Sequence, residues 1–218
     1  MRQPTKPAPV VLPESPPSAP ASAPPVPKAP AAIDYTALAR ALLDGSQVMY
    51  SASKHQIAFA EAYQQEGTGS GLNIAFVGED GKPGGERLEV YAPEHDRAAK
   101  LAAVLPGLVE RLTTDAYIGL PRTEWPEGKP QVVPMKGLEL SWRDHTLVAT
   151  RAGEGSTTGT RKVKRQKPFT AHPIAVYVSM SAPVLIVSIN HDPGSAYGEG
   201  FNVYTSHEVM PLPQVKSN

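Results

Sequence analysis

The sequence predicts an α+β domain, in which helices pack on one face of a mostly antiparallel sheet. Helical patterns occupy the first half of the chain, and strand patterns occupy most of the second half. A parallel doubly wound sheet would instead alternate strands and helices along its whole length, which this sequence does not do. A segment rich in proline and alanine precedes the domain and follows neither pattern.

The first 33 residues contain eleven prolines and seven alanines but only four charged residues. Proline lacks the backbone N–H that helices and sheets require, and this composition offers little apolar surface to bury. We therefore predict a disordered arm that samples polyproline II conformations and reaches about 100 Å when straight. The expected organisation is this arm at 1–33, one α+β domain at 34–210 and a flexible tail at 211–218.

Two helices are predicted at the start of the domain. The first spans residues 35–44, because Asp34 is a favourable N-cap before an apolar stripe. The second spans residues 54–66, where Ser53 and Gln56 form a capping-box pattern. Both helices are expected to turn one apolar face toward the sheet.

A third helix is predicted at residues 93–113. Pro93 suits its first turn, and a stripe of leucines at spacings of three and four would be buried. Pro106 lies inside this stripe and should kink or split the helix near Val104, because it cannot donate a backbone hydrogen bond.

Alternating apolar and polar residues predict two hairpins. The first pairs residues 72–76 with 88–90 across a long glycine-rich loop, and the second pairs 138–142 with 146–151 across a tight turn. Residues 117–136 contain four prolines and predict a long irregular connection between these hairpins.

Three further strands are predicted near the C-terminal end. Residues 174–180 and 184–189 are nearly continuous apolar runs, which is typical of central strands covered on both faces. A last strand is expected at residues 201–205.

Charge is balanced overall, with 21 lysines and arginines against 21 acidic residues, so no general field attracts nucleic acid or a membrane. One segment departs from this balance, since residues 151–168 hold six basic residues and one acidic residue, a net charge of +5. Five cations form its centre: Arg161, Lys162, Lys164, Arg165 and Lys167. The segment predicts phosphate contacts with nucleic acid or another polyanion, or else a charged loop that protects a sheet edge from pairing.

No motif for catalysis, a cofactor or a metal is present in the sequence. The absence of cysteine excludes thiolate nucleophiles, thiolate zinc sites and iron–sulfur clusters. Glycines at 153–159 lack the spacing of phosphate-binding loops, and no serine occupies the turn that a hydrolase nucleophile requires. Of the six histidines, only His191 and His207 could be brought together by antiparallel pairing. We predict no cofactor, no metal and no catalytic residue.

Two apolar segments at 117–120 and 130–135 lie in the predicted connection, close to Trp125. Apolar loops with aromatic residues are often partner-binding surfaces, but they can equally cover a sheet as part of the core. Both interpretations stay open at this point.

The first functional hypothesis is a non-enzymatic structural protein, an accessory component of a larger assembly such as a virus particle, whose arm contacts neighbouring subunits. The second is a polyanion-binding protein that uses residues 161–167, and the third is an enzyme of unrecognised type. No apolar run approaches the roughly 20 residues that span a bilayer, and the N-terminal segment lacks the apolar core of a signal peptide. We therefore expect protein partners, no membrane, and a location in the cytoplasm or a virion.

Overall fold

The structure is a computed structural model. It describes residues 32–65, 69–82, 85–93, 95–133, 137–151, 158–163, 170–179, 182–192 and 204–212. The chain divides into two compact units, residues 1–32 and 33–218, and the second contains the helices and strands described below. Residues 1–31 of the predicted arm and 213–218 of the predicted tail lie outside the described residues.

The described part of the chain contains two helices and thirteen strands. The helices are α1 (Tyr35–Leu43) and α2 (Arg97–Thr114). The strands are β1 (Met49–Ser51), β2 (Gln56–Gln65), β3 (Gly69–Gly78), β4 (Glu86–Tyr91), β5 (Ile118–Gly119), β6 (Arg122–Glu124), β7 (Gln131–Val133), β8 (Leu138–Arg143), β9 (Thr146–Arg151), β10 (Thr158–Lys162), β11 (Thr170–Val178), β12 (Val184–Asp192) and β13 (Tyr204–Pro211).

The strands form three sheets, and every pairing between described strands is antiparallel. The first sheet has the order β4-β3-β2-β1-β5, the middle sheet β13-β12-β11-β6, and the outer sheet β10-β9-β8-β7. The predicted α+β class with mostly antiparallel sheets is confirmed.

Three apolar clusters stack these elements in layers. In the first cluster, Leu42 of α1 and Leu112 of α2 pack with Ala58, Ile74 and Phe76 on one face of the first sheet. This places both helices on the same face of that sheet, as the sequence predicts.

The middle sheet lies between the other two sheets. One cluster joins Ile57 and Phe59 of the first sheet to Tyr177 and Ile186 of the middle sheet. The other joins the opposite face of the middle sheet, including Val187, to the outer sheet. The prediction that the apolar runs form central strands covered on both faces is therefore confirmed for β11 and β12.

Several local predictions are also confirmed. Asp34 caps α1 by accepting a hydrogen bond from the Ala37 backbone N–H at 3.0 Å. Strands β3 and β4 pair, as do β8 and β9. The turn of the second hairpin holds Asp144 and His145 at positive φ, 44° and 59°, which is the backbone of the tight turns that match strand twist.

The predicted helix at 54–66 is wrong, because residues 56–65 form strand β2 in the centre of the first sheet. Ala58 and Ala60 face the helices while Ile57 and Phe59 face the middle sheet. Both faces of the strand are buried at residues 57–60, so polar and apolar residues do not alternate there as they would in a half-exposed strand. Sheet pairing outweighs the local helix propensity. Ser53 donates to the Asp115 carbonyl oxygen at 2.9 Å and caps no helix.

The third helix begins later than predicted and is not split. Asp96 is its N-cap, accepting from the Ala98 and Ala99 backbone N–H groups at 3.0 and 3.3 Å, so Pro93 lies outside the helix. Pro106 lies on the exposed side of α2, which continues through it to Thr114. Packing of the leucine stripe against the first sheet holds both halves together.

Two other boundaries differ from the sequence predictions. The connection at 117–136 contains the short strands β5, β6 and β7, so it is not wholly irregular. The last strand is β13, which begins at Tyr204 and includes Pro211 of the predicted tail; residues 201–203 lie outside the described residues. The sequence does not reveal β5, β6 and β7, because strands of two or three residues are too short to show an alternation of polar and apolar side chains.

Candidate functional site: a tryptophan-lined groove

A groove of about 760 Å³ lies between the middle and outer sheets. It is formed by residues 124–125 and 127–130 after β6, by 141–143 at the end of β8, and by 172–174 in β11. Both tryptophans of the chain, Trp125 and Trp142, line it. The groove thus brings together three segments that are distant in sequence.

The position of Trp125 depends on a bulge in β11. The pairing of β11 with β12 shifts between Pro173 and Ala175, which leaves Ile174 without a place in the ladder. The Ile174 carbonyl oxygen accepts a hydrogen bond from the Trp125 backbone N–H at 2.9 Å. The Trp125 indole Nε1–H donates to the Lys129 carbonyl oxygen at 3.1 Å, so the ring is held by the turn that follows it.

Trp142 is at the end of β8 and packs partly against the core between the middle and outer sheets. Its ring meets His145 edge-on, with centroids 6.0 Å apart and planes at 71°. Among the described residues, the Trp142 indole N–H has no hydrogen-bond acceptor. The groove therefore offers apolar walls together with this indole donor and the polar side chains of Lys129, Ser141 and Arg143.

The charges at the groove are mixed. Glu124 forms an ion pair with Arg122. Within the described part of the chain, Glu127, Lys129 and Arg143 form no ion pair, which leaves one negative and two positive charges at the rim. A ligand of this groove would be held by apolar contacts and hydrogen bonds more than by charge.

The structure separates the two segments that the sequence marked as either surface or core. Tyr117 and Leu120 are buried in the core, whereas Trp125 lines the groove. In β7, Val133 is buried and Val132 is 58% exposed. The core interpretation therefore holds for Tyr117, Leu120 and Val133, whereas a partner-binding role for Trp125 and Val132 stays a prediction.

His191 and His207, the one histidine pair that antiparallel pairing could have brought together, do not meet. Strands β12 and β13 place His207 opposite Ser188 and His191 opposite Tyr204. Positions 188 and 191 are three residues apart in one strand, so their side chains point to opposite faces of the middle sheet.

Each of these histidines instead has a serine partner. His207 Nδ1 lies 2.8 Å from Ser188 Oγ, and His191 Nε2 lies 2.8 Å from Ser206 Oγ. Ser188 is only 2% exposed, so its hydroxyl cannot reach a substrate. The pairs satisfy polar groups inside the sheets, and sequence reasoning missed them because they depend on the register of the β12–β13 hairpin.

Burial changes the protonation of both histidines. The His207 ring packs 4.7 Å from Phe59 and 6.3 Å from Tyr177 by centroids, and desolvation lowers its pKa to about 4. The pKa of His191 is also lowered, first by burial and then by the neighbouring His145 and His172. Both rings are therefore neutral at neutral pH.

The basic segment is only partly described, since Lys164, Arg165 and Lys167 lie outside the described residues. Arg161 and Lys162 belong to β10. Arg161 Nε forms an ion pair with Glu208 at 2.9 Å, and its Nη2 donates to the Gly81 carbonyl oxygen at 2.9 Å. Arg161 thus joins the outer sheet to the middle sheet and to the loop after β3.

A second cavity of about 330 Å³ adjoins Arg161. Its cations are Lys82, Arg87, Arg161 and Lys162. The first three pair with Asp80, Glu61 and Glu208 at 2.8–2.9 Å, and only Lys162 has no acidic partner among the described residues. The cavity therefore concentrates little uncompensated positive charge.

The described residues contain neither a metal-binding cluster nor a helix suited to cross a membrane. No group of three or more histidine and acidic side chains there could hold a metal ion. None of the described helices combines the length and the apolar character that crossing a membrane requires.

Comparisons with protein-family models, with curated proteins and with solved structures give no match to this chain. A function must therefore be argued from the geometry of the chain itself.

Proposed function

We propose that this protein is a non-enzymatic structural and interaction protein, an accessory component of a larger assembly such as a virus particle. The tryptophan-lined groove binds extended segments of partner subunits, and the proline-rich arm reaches neighbouring subunits. The observation that carries this proposal is the groove, which is lined by Trp125 and Trp142 and in which the Trp142 indole N–H has no acceptor among the described residues.

Tryptophan is the residue most typical of binding hot spots, because its large ring buries apolar area and its N–H adds direction. The groove has apolar walls and charges of both signs at its rim, and no single charged centre dominates it. These properties favour a peptide segment over a small charged ligand.

Polyanion binding through residues 161–167 is the second candidate. Lys162, which is exposed and has no acidic partner among the described residues, supports it together with the net charge of the segment. Arg161 weakens it, because this cation already pairs with Glu208. Phosphate binding would weaken steeply as salt rises, whereas binding in the apolar groove would not.

A displayed library of random peptides, selected with the purified full chain, tests the proposed function. Ser141→Tyr places a larger side chain at the groove, and Thr160→Tyr makes the same change on β10, at the far edge of the outer sheet. We expect the parent chain and Thr160→Tyr to enrich the same peptides and Ser141→Tyr to lose them. Equal enrichment by all three chains, or none by the parent, would contradict the proposal.

A further inference from the structure

We infer that the tryptophan-lined groove binds the proline-rich segment at residues 1–31 of a second copy of this chain. This inference rests on the proposed function and deepens it, since it names the segment that the groove receives. It depends on the proline spacing, on the chemistry of the groove and on where residue 33 lies.

The N-terminal segment contains several pairs of prolines that are three positions apart. Five Pro-x-x-Pro patterns occur, with first prolines at Pro4, Pro13, Pro17, Pro24 and Pro27. A polyproline II helix has three residues per turn, so prolines at this spacing would lie along one edge. Its carbonyl groups form no internal hydrogen bonds and remain available to a partner.

The groove has the chemistry that proline-rich helices select. Aromatic-lined grooves bind Pro-x-x-Pro segments because the preformed helix loses little entropy on binding. Trp125 and Trp142 supply aromatic rings, and Pro130 and Pro173 add further apolar surface. The Trp142 indole N–H, which has no acceptor among the described residues, can donate to a carbonyl of the helix.

The start of the folded domain lies near Pro121, which precedes the groove residue Trp125 by four positions. Ile33, which is 46% exposed, and Pro121 line the same shallow surface depression. Trp125 is four residues beyond Pro121, which is at most about 14 Å of extended chain. Two copies related by a two-fold axis can therefore exchange their N-terminal segments, with each segment in the groove of the other copy.

Tryptophan fluorescence gives a direct assay, because the two tryptophans of the chain both line the groove and residues 1–31 contain no tryptophan or tyrosine. The probe is a synthetic peptide of residues 1–31, titrated into the full-length chain with alanine in place of each of its own prolines in residues 1–31. Every chain in this assay carries that change, so that the groove is not already filled by a second copy. We expect a saturable change in emission. A peptide of the same composition, reordered to remove every Pro-x-x-Pro pattern, should bind at least about tenfold more weakly.

Trp142→Phe is the matched variant for this assay, since it keeps an aromatic ring in the core and removes the indole N–H. Trp125 continues to report binding in this variant. We expect the affinity for the peptide to fall by about tenfold or more. Equal affinity of the two peptides, or of the two chains, would overturn the inference even if the peptide library had identified other ligands for the groove.

Mixing two full-length variants tests the role of the second copy. One carries Trp142→Phe, and the other carries alanine in place of each proline in residues 1–31. In sedimentation velocity, the parent should form dimers, each variant alone should dissociate, and the mixture should regain dimers that contain one good groove and one intact segment. A monomeric parent, or association that neither change reduces, would overturn the inference. Peptides selected by the library would still support the proposed function in either case.

Discussion

The two faces of the middle sheet are packed differently, although the same strands provide both. Toward the first sheet, Tyr177 and Ile186 meet an apolar layer, and the His207 ring beside Phe59 borders the smaller cavity, whose cations are mostly paired with acidic side chains. Toward the outer sheet, Val187 is equally buried, but beyond the bulge in β11 the packing ends at the tryptophan-lined groove.

This difference shows that an apolar strand pattern predicts which strand is buried but not the position along the strand at which the neighbouring sheet ceases to cover it. The one-residue bulge at Ile174 changes the register and provides the carbonyl that holds Trp125. Bulges often redirect side chains next to functional sites, because they end regular pairing locally. We therefore interpret the face toward the first sheet, where the cavity is small and most of its charges are paired, as structural and the face with the tryptophan-lined groove as the binding surface.

The largest effect is expected from a charge in the buried core between the middle and outer sheets. Val187 is fully buried in β12, so Val187→Asp would place an unpaired carboxylate in the core and cost about 3 to 5 kcal/mol of unfolding free energy. Urea denaturation measures the change. The matched variant Val132→Asp, at an exposed position in β7, should change stability by less than about 0.5 kcal/mol. Similar stability of Val187→Asp and the parent would contradict the central position of β12.

The His207 ring predicts a pH dependence of stability. Its pKa is about 4 in the folded chain and lies below the ordinary value of 6.5, so the unfolded state binds the proton more tightly. This contribution is fully present above pH 6.5 and is lost as the pH falls to about 4, which amounts to about 2 to 3 kcal/mol. The buried His191, whose pKa is also lowered, acts in the same direction.

Denaturation midpoints between about pH 7 and pH 4, the range of the histidine titration, would measure this effect. His207→Gln should flatten the dependence. An unchanged slope in His207→Gln would show that this ring is not the source.

A smaller effect is expected at Arg161. Its ion pair with Glu208 and its bond to the Gly81 carbonyl oxygen are partly exposed, so Arg161→Ala should cost about 1 kcal/mol. Lys162→Ala, one position further along β10, should cost close to nothing because the exposed Lys162 forms no ion pair with a described residue. Equal thermal stability of the two variants would contradict the structural role of Arg161.

The smallest effect concerns Ala116, which follows α2 with a φ of 51°. Its N–H bonds the Thr113 carbonyl oxygen, and the Tyr117 N–H bonds the Leu112 carbonyl oxygen at 2.9 Å, a helix ending that favours glycine. Ala116→Gly should therefore stabilise the chain by about 0.5 kcal/mol, as measured by its melting temperature. A destabilised variant would contradict this description of the helix end.

Much of the fold followed from local patterns, and the rest depended on contacts distant in sequence. The alternation in β8 and β9, the Asp34 cap and the apolar runs of β11 and β12 were all visible in the sequence. Strand β2 was not, since burial of both faces removes the polar half of the pattern. Helix propensity therefore favoured the wrong element at that position.

The groove was predicted only in part. Trp125 was marked as a possible partner surface, but its meeting with Trp142 requires the bulge in β11 and the edge position of β6. The basic segment was the more conspicuous feature because its charges are adjacent in sequence. The sequence did not reveal that Arg161 pairs with Glu208, 47 positions away, because this contact joins strands of two different sheets.

The most direct test of the central claim compares peptide binding in two variants as salt is raised from about 50 mM to 200 mM, the range over which phosphate contacts weaken strongly. One variant is Trp142→Phe in the groove. The other replaces Lys162, Lys164, Arg165 and Lys167 by alanine and leaves Arg161 in its ion pair. We predict that the first loses about tenfold in affinity for library-selected peptides and that the second matches the parent at every salt concentration. Binding that survives Trp142→Phe but is lost with the four cations would contradict the claim that the groove is the binding surface.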